Sequence, residues 1–163
     1  MPSDRELVVV QTSRLAAPAD QVWSRAVSPE GINHELGPWM RMTMPRSVRG
    51  MTIDEVPVGE PLGRSWILLF GVLPVDYDDL MLAERGPGFR FLEHSKLLNM
   101  SSWQHEREVR PAGEGCEVTD RLTFELRRVP RAIPGMHRVA RAIIARTFRH
   151  RHRRLVAWFG AAA

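Results

Sequence analysis

Residues 101–126 read SSWQHEREVRPAGEGCEVTDRLTFEL, and this stretch decides the fold. Two runs of alternating side chains, SSWQHEREVR and CEVTDRLTFEL, flank a turn of proline, glycine and acidic residues at 111–115. Alternation with a period of two is typical of a strand with one buried face, and the short glycine-containing turn predicts an antiparallel hairpin.

The same pattern continues toward the N terminus. The runs SWILLFGVLP, DYDDLMLAER and FRFLEHSKLL begin at residues 65, 76 and 89, and turn signals separate them at 74–76, 86–88 and 99–100. Turn signals at this spacing predict an antiparallel meander. Residues 6–15 and 39–44 are predicted to be further strands. Residues 45–64 contain three prolines and three glycines, which predicts hairpin turns around a short strand.

Two kinds of helix complete the chain. Pro18 opens one helix and Ser28-Pro29-Glu30 breaks it and caps a second, so two short helices follow the first strand. Residues 136–159 contain no proline or glycine, which predicts one helix about 36 Å long. An apolar stripe on it should face the sheet; its members are Ala140, Ile143, Ile144, Phe148, Leu155 and Phe159. We therefore predict an α+β helix-grip fold, a curved antiparallel sheet wrapped around a long C-terminal helix, in one domain spanning 1–163.

Composition predicts a cytoplasmic globular protein. Of the 163 residues, 44% are hydrophobic and 26% are charged. Asp4, Arg5 and Glu6 make the first ten residues unlike a secretory signal peptide, and no apolar run approaches the roughly 20 residues of a membrane span. Cys116 is the single cysteine, so an internal disulfide is excluded, and a core position is expected for it.

The inward strand faces carry four polar groups among apolar ones. Alternation places Trp103, His105, Arg107 and Val109 on one face, with Asp120 and Glu93 on the matching faces of the neighbouring strands. A charge on an apolar face must be paired, and Arg107 with Asp120 or Glu93 is the simplest pairing. Two interpretations remain open: a satisfied structural network, or a ligand site in which His105 or Glu93 contacts a polar group of the ligand.

Three strings resemble one superfamily. They are APADQVWSRAVSPEGI (17–32), FLEHSKLLNMSSWQHEREVRP (91–111) and GCEVTDRLTFEL (115–126), the last followed by Phe148-Arg149-His150-Arg151. Their order and spacing resemble the START/Bet v 1-like superfamily (SRPBCC), which includes polyketide cyclases and coenzyme-Q-binding proteins. The resemblance implies a helix-grip fold with a cavity for an apolar molecule, but it does not imply one activity.

Two functions follow from these expectations. The first is binding of a hydrophobic small molecule (lipid, polyketide or isoprenoid-like) between the sheet and the C-terminal helix. The predicted lining is Trp39, Trp66, Leu68, Phe91, Trp103, His105, Leu122, Phe124, Ile144 and Phe148, and Met40, Met42 and Met44 suggest an adaptable wall. The alternative is a polyketide cyclase or dehydratase-like enzyme. Its candidate catalytic residues are His105, a possible general base, with Glu93, Arg107 and Asp120.

No cofactor or metal is expected. The closest histidine pair, His150 and His152, has i, i+2 spacing, which points the two rings to different faces of a helix.

The arginines are concentrated at the C-terminal end. Residues 1–125 hold 13 basic and 19 acidic residues, whereas residues 126–163 hold ten arginines and no acid. Arg138, Arg141, Arg149 and Arg153 should form a solvated helix face. Transient contact with an anionic membrane surface, or docking of an acidic protein, is the functional alternative. Nucleic acid is not expected because a reading motif is missing. The protein is expected to be a monomer or a homodimer.

Overall fold

Seven antiparallel strands form one curled sheet in the order β1-β7-β6-β5-β4-β3-β2. The computed structural model describes residues 5–162, so residues 1–4, which include the Asp4 considered above, and residue 163 lie outside the described residues. The strands are β1 (Leu7–Leu15), β2 (Met40–Met42), β3 (Pro61–Leu69), β4 (Leu73–Arg85), β5 (Phe89–Leu97), β6 (Met100–Ala112) and β7 (Gly115–Leu126). The helices are α1 (Ala19–Ala26), α2 (Pro29–Leu36), α3 (Arg128–Arg131) and α4 (Met136–Phe159), with a 3₁₀ turn at Arg46–Val48. This is the predicted helix-grip architecture.

The pairing of β6 with β7 fixes which side chains face inward. Trp103 lies opposite Phe124, and Arg107 lies opposite Asp120. Along both strands buried residues alternate with more exposed ones, so the predicted inward face is confirmed. The inward polar groups of neighbouring strands are therefore side by side, close enough for cross-strand pairing.

Local sequence sets the helix boundaries. The Ser28 side chain accepts a hydrogen bond from the Gly31 backbone N–H at 3.0 Å, which caps α2 as predicted, with Pro29 at its first position. Gly135, with φ of 78°, precedes α4 in a left-handed conformation that favours glycine. Helix α4 spans the predicted residues 136–159. None of the helices within the described chain is long and apolar enough to cross a bilayer.

Helix α4 packs across β1, β6 and β7 and forms one of two hydrophobic core clusters with them. The buried members of this cluster are Val9, Leu97, Met100, Trp103, Leu122, Phe124, Leu126, Ala140 and Phe148. Burying each large apolar side chain contributes about 1.5 to 3 kcal/mol, so this layer anchors the helix to the sheet. Ile143 was predicted to belong to the apolar stripe, but it is 58% exposed. Ala140, Ile144 and Phe148, spaced by four residues, face the sheet instead.

Two predictions are wrong, one about the turn between β3 and β4 and one about the segment that precedes β3. The turn lies at Phe70–Val72 rather than at Pro74–Asp76, and Leu69 pairs with Leu73 across it. Gly71 has φ of 75° and so permits the tight reversal, while Pro74 lies inside β4 beside a break in register that tolerates its missing N–H. Residues 45–60 form a 3₁₀ turn and irregular chain rather than a separate hairpin strand.

Candidate functional site

Arg107 lies at the centre of a buried polar network. Its side chain on β6 is 0% exposed, and its guanidinium donates four hydrogen bonds. Nε and Nη2 bond the Asp120 carboxylate at 2.8 and 2.7 Å, and Nη1 and Nη2 bond the Glu35 carboxylate at 2.8 and 2.9 Å. The predicted pairing of Arg107 with Asp120 is therefore present. Glu35, from α2, is a second partner that sequence patterns did not indicate.

Asp120 accepts hydrogen bonds from three residues. Besides Arg107, His105 Nε2 lies 2.8 Å from Oδ1, and His152 Nε2 lies 2.9 Å from Oδ2. Burial by itself would raise the pKa of Asp120, but the Arg107 guanidinium and the His105 bond hold that pKa well below its usual range. Asp120 is therefore an anion that fixes the orientation of both imidazole rings.

Glu35 joins this network to the C-terminal helix. Its Oε2 also accepts a bond of 2.9 Å from Nε of Arg151 on α4. Burial opposes ionisation of Glu35, but Arg107 and Arg151 outweigh it and lower its pKa. The network thus ties α2, β6, β7 and α4 together through two carboxylates and two guanidinium groups.

His105 has one ring nitrogen bound and the other available. Nε2 lies at hydrogen-bond distance from Asp120, whereas Nδ1 is 3.9 Å from Glu93 Oε2, beyond that distance. The ring makes edge contacts with Phe91 and Phe148, whose centroids are 5.2 and 5.1 Å away. A histidine held by a buried aspartate, with its second nitrogen facing an apolar space, can accept a proton from a bound molecule or donate one to it.

An apolar cavity of about 150 Å³ lies next to His105. Its apolar wall consists of Ala26, Val27, Pro29, Ile32, Met42, Met44, Val48, Met51, Ile53, Val56, Leu62, Leu80, Met81, Leu82 and Phe91. Its polar lining consists of Glu93, His105 and Arg151. The cavity therefore lies among α1–α2, the 42–56 segment and β3–β5, and α4 contributes only Arg151 to it among the described residues. This position differs from the predicted one between the sheet and α4, where core side chains fill the space.

A second buried acid lies on β4. Asp78 is 5% exposed, and its Oδ1 has no hydrogen-bond partner within residues 5–162. In the pairing of β3 with β4 it lies opposite Ser65, which is also buried. On β5, the Ser95 hydroxyl lies 2.9 Å from Glu93 Oε1. Burial and the neighbouring Glu93 charge raise the pKa of Asp78 to about 9. Asp78 is consequently a neutral carboxylic acid at pH 7, next to a group that lines the cavity.

The structure places the predicted site residues in four environments. Phe91, Glu93 and His105 line the cavity. Trp103, Leu122, Phe124, Ile144 and Phe148 pack in the adjoining core, and Arg107 and Asp120 lie in the network behind His105. Trp39 and Trp66 are 56% and 43% exposed, and Leu68 is half-buried on β3. The ligand-binding role of the set remains a prediction.

Other sequence expectations can be located as well. Cys116 is fully buried, and burial raises the pKa of its thiol, as suits a core residue. The predicted solvated arginines of α4, Arg138, Arg141, Arg149 and Arg153, are all exposed. His150 Nε2 bonds the Gly37 carbonyl oxygen at 2.8 Å, so His150 and His152 do point to different surroundings. In the described part of the chain, no group of three or more His, Cys, Asp or Glu side chains is arranged so that it could hold a metal ion.

Comparison with known proteins identifies the fold and a family. A family described as a domain of unknown function (DUF8410) matches residues 13–159. A search of curated proteins gives no significant match.

Three solved structures illustrate the likeness. A START superfamily protein from Mycobacterium smegmatis is 12% identical, with 93% of this chain and 96% of that chain covered and a TM-score of 0.66. The Zhui aromatase/cyclase from Streptomyces sp. R1128 is 12% identical, with 94% and 93% covered and a TM-score of 0.66. Ara h 8.0201 is 9% identical, with 93% and 99% covered and a TM-score of 0.56.

At these identities the likeness shows the fold alone, and this is the fold that the resemblance of the sequence strings implied. The chain therefore belongs to the DUF8410 family, and it has the helix-grip fold of the START/Bet v 1-like (SRPBCC) superfamily.

Proposed function

We propose that this protein binds a hydrophobic small molecule in the cavity beside His105. The observation that carries the proposal is the composition of the lining: apolar side chains on all walls, with Glu93, His105 and Arg151 as its polar groups. Ligand sites in proteins are built this way, because apolar walls supply affinity and a few placed polar groups fix orientation.

The size of the cavity restricts the ligand. A cavity of about 150 Å³ accommodates a molecule about the size of benzene, whereas drug-sized ligands occupy roughly 300 to 1,000 Å³. Met42, Met44, Met51 and Met81 line the wall, and methionine side chains are unbranched and adaptable. A compact ligand therefore fits directly, and a larger lipid, polyketide or isoprenoid-like molecule enters only if these methionines move.

Native mass spectrometry of freshly purified protein, before and after denaturation and organic extraction, tests the proposal. We expect an additional small-molecule mass that denaturation releases. Val27 lines the cavity, so Val27→Phe should fill it and abolish the additional mass, whereas Val139→Phe on the exposed face of α4 should leave it unchanged. The proposal is contradicted if the additional mass persists in Val27→Phe, or if neither the native protein nor added apolar probes ever form a complex.

The second candidate is a cyclase or dehydratase-like enzyme. The observation that favours it is the His105–Asp120 pair: Nε2 of His105 is bound to Asp120, Nδ1 has no partner at hydrogen-bond distance, and the residue lines the cavity. Such a base can remove a proton from a carbon next to a carbonyl, the first step of aldol condensation, and one structural neighbour is an aromatase/cyclase. His105→Ala separates the two candidates: a carrier keeps most of its affinity, whereas an enzyme loses about 10²-fold or more of its turnover.

The exposed arginines of α4 support a proposed transient contact with an anionic membrane, from which an apolar ligand would be collected in the cytoplasm. Vesicles containing phosphatidylserine should retain the protein at low salt and release it as salt rises. Charge reversal at Arg138, Arg141, Arg149 and Arg153 should abolish retention. Lack of retention at low salt would contradict the proposed membrane contact.

The oligomeric state is a separate prediction, and analytical ultracentrifugation would decide between monomer and homodimer.

A further inference from the structure

Arg151 has hydrogen-bond donors that the protein does not use. An arginine carries five N–H donors, and Nε of Arg151 is bound to Glu35 at 2.9 Å. Among the described residues, neither Nη nitrogen of Arg151 has a hydrogen-bond partner. The residue is nevertheless 8% exposed and lines the cavity. The two Nη nitrogens are not among the fully buried atoms of the described residues, so they remain accessible on a residue that lines the cavity and can donate to an acceptor group of a bound molecule.

The guanidinium is held in place before any ligand arrives. Glu35, which accepts the Nε bond, is itself fixed by two bonds from Arg107. The Cζ atom of Arg151 also lies 4.9 Å from the centroid of the Phe148 ring, a cation–π contact. A fixed fork of N–H groups is the geometry that binds a carboxylate through two parallel hydrogen bonds.

His105 lies on the same aromatic ring as Arg151. The centroid of its imidazole is 5.1 Å from that of Phe148, and its Nδ1 has no partner at hydrogen-bond distance. Glu93 is near this nitrogen, with 3.9 Å between Oε2 and Nδ1, so an anionic group would be repelled at that end of the cavity. An acceptor group is therefore favoured on the Arg151 side of Phe148, with the apolar body of the ligand among the methionines.

We propose that the ligand is a compact apolar carboxylate and that Arg151 binds its carboxylate through Nη1 and Nη2. This inference rests on the proposed binding function and specifies its ligand class. The body can be aromatic or aliphatic, since the wall is lined by both methionines and branched side chains. A neutral molecule of the same shape would offer Nη1 and Nη2 no charged acceptor, while Nε stays bound to Glu35.

Calorimetric titration with matched pairs of probes tests the proposal: benzoate and benzamide, cinnamate and cinnamamide, octanoate and octanamide. In the native protein the carboxylate of at least one pair should bind about tenfold or more tightly than its amide, because a charge-assisted bidentate pair is stronger than neutral hydrogen bonds. Arg151→Met keeps an unbranched side chain as long as the Cβ–Nε part of arginine but removes the donors, so it should abolish this preference. Arg149→Met, on the exposed side of α4, should retain it.

The outcomes separate this inference from the function on which it rests. Equal affinity for carboxylate and amide in the native protein overturns the role of Arg151 but leaves apolar binding intact. Retention of the preference in a folded Arg151→Met variant, as judged by its thermal midpoint, also overturns it. If neither the carboxylates nor the neutral amides bind, the proposed function and this inference both fail. The native comparison needs no variant, so loss of folding in Arg151→Met does not protect the proposal.

Discussion

Replacing Asp78 with asparagine should stabilise the protein at neutral pH. Burial and Glu93 raise the pKa of Asp78 to about 9, whereas an aspartate in an unfolded chain titrates near pH 4. At pH 7 the folded protein therefore holds a proton on Asp78 that the unfolded chain releases. Folding must take up this proton, which opposes folding increasingly as pH rises from about 4 to about 9.

The magnitude follows from the distance between the working pH and the pKa of the unfolded chain. At pH 7 this distance is about three pH units, and each unit corresponds to about 1.4 kcal/mol, so proton uptake costs about 4 kcal/mol. Asparagine has nearly the shape of protonated aspartate and requires no proton. Its buried amide recovers part of the hydrogen bonding but not all of it, so we expect Asp78→Asn to raise the free energy of unfolding by about 2 to 4 kcal/mol at pH 7.

Urea denaturation at pH 5, 7 and 8.5 is the appropriate assay. The difference between Asp78→Asn and the native protein should be small at pH 5 and should grow steadily toward pH 8.5. Asp79→Asn is the matched control. Asp79 is next in sequence, its side chain is 43% exposed and bound to Arg64, and its removal should change the free energy of unfolding by less than about 1 kcal/mol. A difference that does not depend on pH, or a destabilised Asp78→Asn, would refute the reasoning.

Three other predictions concern the network and the helix cap. Glu35→Ala leaves Arg107 and Arg151 without a shared partner, and it should destabilise the protein by about 3 to 5 kcal/mol in urea denaturation; a loss below about 1 kcal/mol would mean that the network is not buried in solution. Since folding lowers the pKa values of Glu35 and Asp120, their stabilisation is fully present above the unfolded-state pKa of about 4 and is lost as pH falls through the lower folded-state pKa values. Between pH 7 and pH 3 the free energy of unfolding should therefore fall more in the native protein than in Glu35→Gln, which lacks one of these titrations; equal losses in urea denaturation at the two pH values would contradict this. Ser28→Ala removes the cap of α2 and should lower the free energy of unfolding by about 1 kcal/mol, while Ser28→Asp should preserve it; equal stability of all three proteins would show that the cap is not formed.

Sequence patterns predicted the parts of the site that depend on strand alternation. His105, Arg107 and Asp120 share an inward face because their spacing in β6 and β7 is even and the hairpin turn fixes the register. The long helix was equally predictable, since proline and glycine delimit it. Both features follow from residues that are close together in the sequence, which is why sequence patterns predict them.

The rest of the site depends on contacts between distant elements. Glu35 reaches Arg107 across 72 positions in sequence, and a glutamate in a short amphipathic helix gives no local sign of burial. Arg151 is one of ten arginines after residue 125, and only the packing of α4 against α2 distinguishes it from its solvated neighbours. Asp78 was missed because the turn before β4 was placed at Pro74, so the face of that strand was not fixed.

Two of the aromatic residues predicted to line the cavity are exposed instead, for a different reason. Trp39 and Trp66 were expected inside because large apolar side chains are usually buried, but they lie on the β2–β3 side of the sheet at 56% and 43% exposure. Most of a protein surface is apolar, so an exposed tryptophan is compatible with the fold. The methionines of the cavity were a better indicator: of Met40, Met42 and Met44, the last two line it.

The cavity itself can be observed through its methionine methyl groups. Met42, Met44, Met51 and Met81 line the cavity, whereas Met100 lies in the core cluster under α4. In protein labelled with ¹³C at the methionine methyl groups, titration with cinnamate and octanoate followed by NMR tests the central claim most directly. We predict saturable shifts for the four cavity methyl groups and little change at Met100. Unchanged cavity signals for every probe, or shifts confined to methionines outside the cavity, would contradict the claim that this protein binds a hydrophobic ligand there.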